Sequence, residues 1–350
     1  MLLSGNSTRG FVIARILAAE WGDKLSISAD ELAAVAPMFF NLGGAAWAWR
    51  QIRQTPLRET PTAHDLHQAY RLHTLQVAVK ELEIAQVFSH LRSLGLEPLM
   101  GKGWAIARHY PEPGLRPFGD IDLYVRLEQY QDVLAAFQTP ASQGVIVDIH
   151  NGAAELDDRS FDELYARSLL IPVGSSSARI FGPEDNLRLL CLHFLREGAL
   201  RPLWLCDVAV ALETLPSDFD WAYFLGGDPR RTEWVICVLG LAHQLLGIKI
   251  DRLPVAVRAS ALPPWLVPTV LKLWGQGKTT KGRRTRMAAY LTHPAGALKA
   301  LQERWPNAVE ATVGTRGPFN NWPRLPFQLG ECVLRTAIFV RQLPKLISRF

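Results

Sequence analysis

The 350-residue sequence predicts an α+β protein in which a small strand-and-helix core is flanked by N-terminal and C-terminal helical regions. Three observations carry this. Apolar residues recur at helical spacing up to residue 95, strand-like runs alternate with short helices over 96–182, and helical patterning returns from 183. The expected organisation is an N-terminal helical region 1–95, an α/β core 96–182, a C-terminal helical domain 183–290 and a basic amphipathic tail 291–350.

The first region is clearest in HDLHQAYRLHTLQVAVKELEIAQVFSHLRSLG. There Leu66, Tyr70, Val77, Ile84, Phe88 and Leu91 follow at steps of three, four or seven, along one helix face. Gly95 is placed to stop this helix, Asp65 to cap its start, and TPLRETPTAHD reads as a Pro/Thr-rich link before it. In the core, LEPLM is a short strand and GKGWAIARHY a glycine-flanked turn entering a short helix. PEPGLRP is a loop, DIDLYV a strand, LEQYQDVLAAFQ a helix and GVIVDIH another strand. From GPEDNLRLLCLHFLREGALRPLWLCDVAVALE onward the pattern is helical, and the tail is broken by prolines before becoming basic.

Composition narrows the function classes. Hydrophobic residues at 48% and charged residues at 20% exclude a disordered or low-complexity chain. A net charge of +5 points mildly to an anionic ligand. Cys191, Cys206, Cys237 and Cys332 form no CxxC pair, which argues against a zinc knuckle or a dense disulfide framework and fits reduced thiols in a cytoplasm. No signal peptide and no run of about 18 uninterrupted apolar residues is read, so no transmembrane segment is expected. Without a helix-turn-helix signature, basic stripe or aromatic RNA-binding motif, DNA is not an expected partner. Arg335, Arg341, Lys345 and Arg349 make the tail either a helix closing the core or a weak contact for an acidic membrane surface. HDLH at 64–67 invites a phosphohydrolase reading, but no second histidine–aspartate set follows at metal-site spacing.

The segment RPFGDIDLYV carries the chemistry. In a strand, residues i and i+2 share a face, so Asp120 and Asp122 project side by side. Two carboxylates about 5 Å apart repel by about 3 kcal/mol at an effective dielectric of 20, and burial adds a desolvation cost. A divalent cation relieves both, and Mg²⁺ prefers such hard oxygen ligands together with substrate phosphates. Asp148 and His150 share a face of the downstream strand. If that strand pairs beside the first, Asp148 completes a three-carboxylate cluster able to hold two metal ions for in-line displacement at phosphorus. The alternative use of Asp120 and Asp122 is to cap a turn or pair with Arg116 and Arg126.

GKGWAIARHYPEPGLRPFGDIDLYV, with VDIH downstream and the later helical segment bearing His193 and Asp207, resembles the uncharacterised bacterial nucleotidyltransferases, a branch of the DNA polymerase β-like superfamily. The resemblance spans about residues 70–250. It implies a small mixed sheet with an all-helical surround, and Mg²⁺-dependent transfer of a nucleoside monophosphate from a nucleoside triphosphate such as ATP, releasing pyrophosphate. The acceptor would be a small molecule, a sugar or a peptide. On this likeness Asp120, Asp122 and Asp148 are the catalytic metal ligands for two Mg²⁺ ions, and Asp148 helps deprotonate the acceptor. Gly103 lets backbone approach phosphate, while Lys102 and Arg116 bring positive charge to the triphosphate. His150, His193 and Asp207 are substrate contacts or structural hydrogen-bonders. The sequence departs from the pattern at Gly101 and Tyr124, where leucine is usual, at Asn151, where tryptophan is common, and at Lys102-Gly103, where the superfamily has Gly-Ser. The competing reading is a nucleotide-binding scaffold that kept the fold without turnover.

Overall fold

The computed structural model describes residues 5–22, 24–138, 144–277 and 304–347. Four helices lead: α1 (Gly5–Ala18), α2 (Ala29–Leu42), α3 (Ala45–Ile52) and α4 (Pro61–Ser93). Local chemistry sets their ends. Ser28 and Glu31 form a reciprocal capping box on α2, which stops at Gly43 in the left-handed region. The start of α4 departs from expectation. Thr60 accepts from the Ala63 amide and Pro61 takes the first helical position, so the helix begins ahead of Asp65, which is exposed within it. Its end is as expected: Gly95, at φ 74°, closes a Schellman turn in which the Leu96 amide reaches Leu91 O at 2.9 Å and the Gly95 amide Arg92 O at 3.0 Å.

The core follows as β1 (Leu99–Met100), α5 (Gly103–Ala107), β2 (Ile121–Val125), α6 (Tyr130–Ala136), β3 (Val147–Asn151), α7 (Phe161–Ala166), β4 (Leu169–Val173) and β5 (Ser176–Ile180). The sheet order is β3-β2-β1-β5-β4. β2–β3 and β1–β5 are parallel, β1–β2 and β4–β5 antiparallel, so the sheet is mixed as the resemblance implied. The β4–β5 hairpin is an addition to the sequence reading. Pro172 sits on its exposed edge strand, where a missing N–H costs no ladder bond.

Alternation along β2 splits the interior. Ile121, Leu123 and Val125 face the C-terminal third of α4 (Ile84, Phe88, Leu91) and α6 (Val133). Tyr124, with Leu99 and Phe181, faces the other way, into a larger helical core. That core is built by α8 (Pro183–Arg196), α9 (Pro202–Glu213), α10 (Trp221–Leu225), α11 (Pro229–Leu246), α12 (Ala256–Ser260) and α13 (Leu266–Gln276), joined by α1–α3 and the N-terminal third of α4.

The helical regions on either side of the sheet in sequence therefore share one interior. Where α1 crosses α13 the contact is glycine-made: a Cβ on Gly10 would stand 1.8 Å from Leu271 O, and one on Gly275 1.7 Å from Asn6 O. Helices α14 (Ala308–Gly314) and α15 (Leu325–Ile347) complete the described chain. Arg335, midway along α15, bonds Glu331 of the same helix at 2.7 Å and Glu310 of α14 at 2.5 Å, holding the two helices together, and Arg341 is exposed. The expected boundary at 290/291, the Lys345 side chain and Arg349 lie outside the described residues. No helix among the described residues is long and apolar enough to cross a membrane.

Candidate active site

The site begins where β1 turns into α5. Lys102 has φ 51° and Gly103 φ 24°; for a residue with a side chain this backbone costs on the order of 1 kcal/mol. The turn drives the Lys102 side chain inward, leaving it 7% exposed. Its Nζ donates to Asp122 Oδ1 at 3.0 Å and lies 5.4 Å from the centre of the Tyr124 ring. Downstream, the PEPGLRP loop is anchored through Glu112, which accepts from Arg53 at 2.6 and 2.9 Å, from Tyr70 Oη at 3.1 Å, and from Arg50. Gly114, at φ 84°, presses on α4 so closely that a Cβ would stand 2.4 Å from Thr74 Oγ1. This fixed loop delivers Arg116 and then Asp120.

Strand register does the rest. Asp122 is the direct partner of Asp148, and Tyr124 of His150, across the parallel β2–β3 pair. The His150 ring stacks on Tyr124 at 4.4 Å and 16°, which aims Nε2 at Asp122 Oδ1, 3.0 Å away, and at Asp148 Oδ2, 3.6 Å away. Asp122, Asp148 and His150 thus present one ligand atom each within 4.8 Å of one another. Asp120 lies one residue before β2, exposed, on the wall of the same cavity of about 340 Å³. Burial acts to raise the Asp122 pKa, but the hydrogen bond from His150 and the charge and hydrogen bond of Lys102 outweigh it and hold the carboxyl below its ordinary value. His193, on α8, also faces the cavity. Burial and then the Lys102 charge hold its imidazole well below the usual range. Adjacent carboxylates with oxygens open to a polar cavity are a hard-oxygen donor set suited to a divalent cation such as Mg²⁺.

Of the residues singled out in the sequence, Lys102, Gly103, Arg116, Asp120, Asp122, Asp148, His150 and His193 all line this cavity. Arg116 is engaged differently from the expected triphosphate contact. It forks onto Asp207, with Nε 3.0 Å from Oδ1 and Nη2 2.8 Å from Oδ2, and gives Nη1 to Pro117 O at 2.7 Å. Tyr110 Oη donates to the same Asp207 Oδ1 at 2.7 Å. Asp207 is therefore a structural anion partnered by Arg116 rather than by His193, whose ring instead meets Trp204 edge-on at 4.6 Å. Glu155, Arg196, Glu197, Arg201 and Trp204 also line the wall and had no signal in sequence spacing. Tyr124, the platform under His150 and Lys102, was visible only as a departure from leucine.

A family model described as an uncharacterised nucleotidyltransferase matches residues 42–141 and 135–247, together more than half of the sequence. The chain belongs to that family, and the matched region runs from the end of α2 through the sheet and cavity to the end of α11. Among solved structures it is similar to an antigenic nucleotidyltransferase-like protein from Paracoccidioides brasiliensis. That likeness has 14% identity and a TM-score of 0.36, covering 55% of this chain and 94% of the other. No curated protein matches.

Proposed function

We propose that this protein is a Mg²⁺-dependent nucleotidyltransferase that moves a nucleoside monophosphate from a nucleoside triphosphate to an acceptor hydroxyl, releasing pyrophosphate. The observation that supports it most is that Asp122 and Asp148, register partners on adjacent strands, open with Lys102 onto one cavity whose wall also carries Asp120. Asp120, Asp122 and Asp148 would hold two Mg²⁺ ions, which supply charge neutralisation to the phosphates. The acceptor oxygen attacks the α-phosphorus, the new P–O bond forms as the bond to the bridging oxygen breaks, and the electron pair leaves with pyrophosphate. Asp148, more solvent-open than Asp122, takes the acceptor proton. His150 keeps the two carboxylates in register, and Gly103 admits backbone close to phosphate. The acceptor is a small molecule, a sugar or a peptide, and the four free cysteines suit a reducing cytoplasm.

One observation favours the second reading, a nucleotide-binding scaffold without turnover: Lys102 and His150 both already occupy Asp122 Oδ1. The two readings part in one experiment. Purified protein is incubated with Mg²⁺, each of the four α-labelled nucleoside triphosphates and fractionated cell extract as acceptor, and pyrophosphate and label transfer are followed. The wild type should release pyrophosphate, and Asp122→Asn should slow it roughly a hundredfold or more. Nucleotide binding by both proteins with no pyrophosphate from either would establish the scaffold instead.

A further inference from the structure

Lys102, Arg116, Arg196 and Arg201 bring lysine and arginine charge to the cavity wall. Three of them are already paired: Lys102 with Asp122 at 3.0 Å, Arg116 with Asp207 at 2.8 Å and Arg196 with Glu155 at 2.6 Å. Arg201 differs. Among the described residues no carboxylate stands within ion-pair distance of it, and its Nε is buried without a hydrogen-bond partner. Arg167, Arg179 and Arg188 also bury an unbonded Nε, but each reaches a carboxylate, at 3.2, 3.7 and 2.7 Å, so what sets Arg201 apart is a charge on the cavity wall without an acid beside it.

The side chain is also held in place. Its guanidinium carbon lies 4.9 Å from the Trp204 ring centre, and that indole is braced edge-on by His193 at 4.6 Å. Arg201 is the residue immediately before α9, and Pro202 at the first helical position fixes the backbone behind it. Burial and then the neighbouring Arg116 charge disfavour its cationic form, and Glu197 and Asp120, beyond contact distance, offset this only in part. A planar fork on an aromatic support, facing a wall of carboxylates across a polar cavity, matches the demand of a polyphosphate whose metal-facing side meets the acids.

We propose that Arg201 binds the phosphate chain of the nucleotide, in the part that the sequence suggested for Arg116, with Trp204 as its support. This rests on the nucleotidyl-transfer reading and adds to it the residue that grips the donor. Calorimetric titration of the full chain with the four nucleoside triphosphates and with inorganic tripolyphosphate, all with Mg²⁺, tests it. Arg201→Gln should weaken both a bound triphosphate and tripolyphosphate by roughly ten- to a hundredfold, at an unchanged unfolding midpoint, and Arg201→Lys should recover part of the loss. Wild-type affinity in Arg201→Gln would overturn this assignment alone. Weaker triphosphate binding with tripolyphosphate unaffected would overturn it too, placing Arg201 against the nucleoside. If the wild type binds neither probe, the nucleotidyl-transfer reading fails with it.

Discussion

Two buried ion pairs border the cavity, Arg116–Asp207 and Lys102–Asp122. In the first, both carboxylate oxygens are used, by a planar guanidinium and by the Tyr110 hydroxyl, and Asp207 is fully buried. In the second, the hydrogen bonds to Asp122 converge on Oδ1 alone, from a lysine on a flexible stem and from an imidazole, with Asp122 9% exposed at the wall. The same opposition of charges serves as a lock in one place and as a latch in the other. A forked pair consumes the acid, whereas a point charge on one oxygen leaves coordinating capacity on the other.

The comparison can be broken most directly with Asp207→Asn, which strips the counter-charge from buried Arg116. It should cost about 3–5 kcal/mol of stability in chemical denaturation, whereas Asp122→Asn, whose amide oxygen can still accept from Lys102 at the cavity wall, should cost less while losing turnover. Equal destabilisation of the two would erase the distinction. A smaller effect is expected of Tyr110→Phe, about 1 kcal/mol, since Asp207 keeps both arginine contacts. Burial and then the Asp207 charge raise the Tyr110 phenol well above its ordinary value. A raised folded-state pKa means that this stabilisation is fully present below the unfolded tyrosine value of about 10 and is lost as pH rises beyond it. Denaturation curves between about pH 9 and 11 should slope downward less in the phenylalanine variant. The smallest effect concerns the latch: Tyr124 Oη is buried without a partner, so Tyr124→Phe should gain up to about 1 kcal/mol, read as a higher denaturation midpoint.

Asp122 and Asp148 were legible because strand alternation is strict and parallel register places partners on one face. Lys102 was legible as a cation but not in its direction, since nothing in a Gly-Lys-Gly tripeptide reveals a positive φ at the lysine. The Arg116–Asp207 fork joins residues 91 apart on separate elements, a pairing that local pattern does not encode. Gly101 and Tyr124 looked like separate departures from leucine, yet they answer each other. A Cβ on Gly101 would stand 3.0 Å from Tyr124 Cε2, so the bare position houses the larger ring. The β4–β5 hairpin stayed hidden because SSSAR and Pro172 weaken the apolar alternation that marks strands.

The glycine crossing of α1 and α13 bears on how the chain is made. Gly10 and its neighbour in space, Leu271, are far apart in sequence, so Leu271 emerges from the ribosome long after α1. Ile13, Ile16 and Leu17, sealed in the finished protein, must wait bare through that interval. The nascent chain therefore carries α1 as an adhesive helix until α13 has followed it.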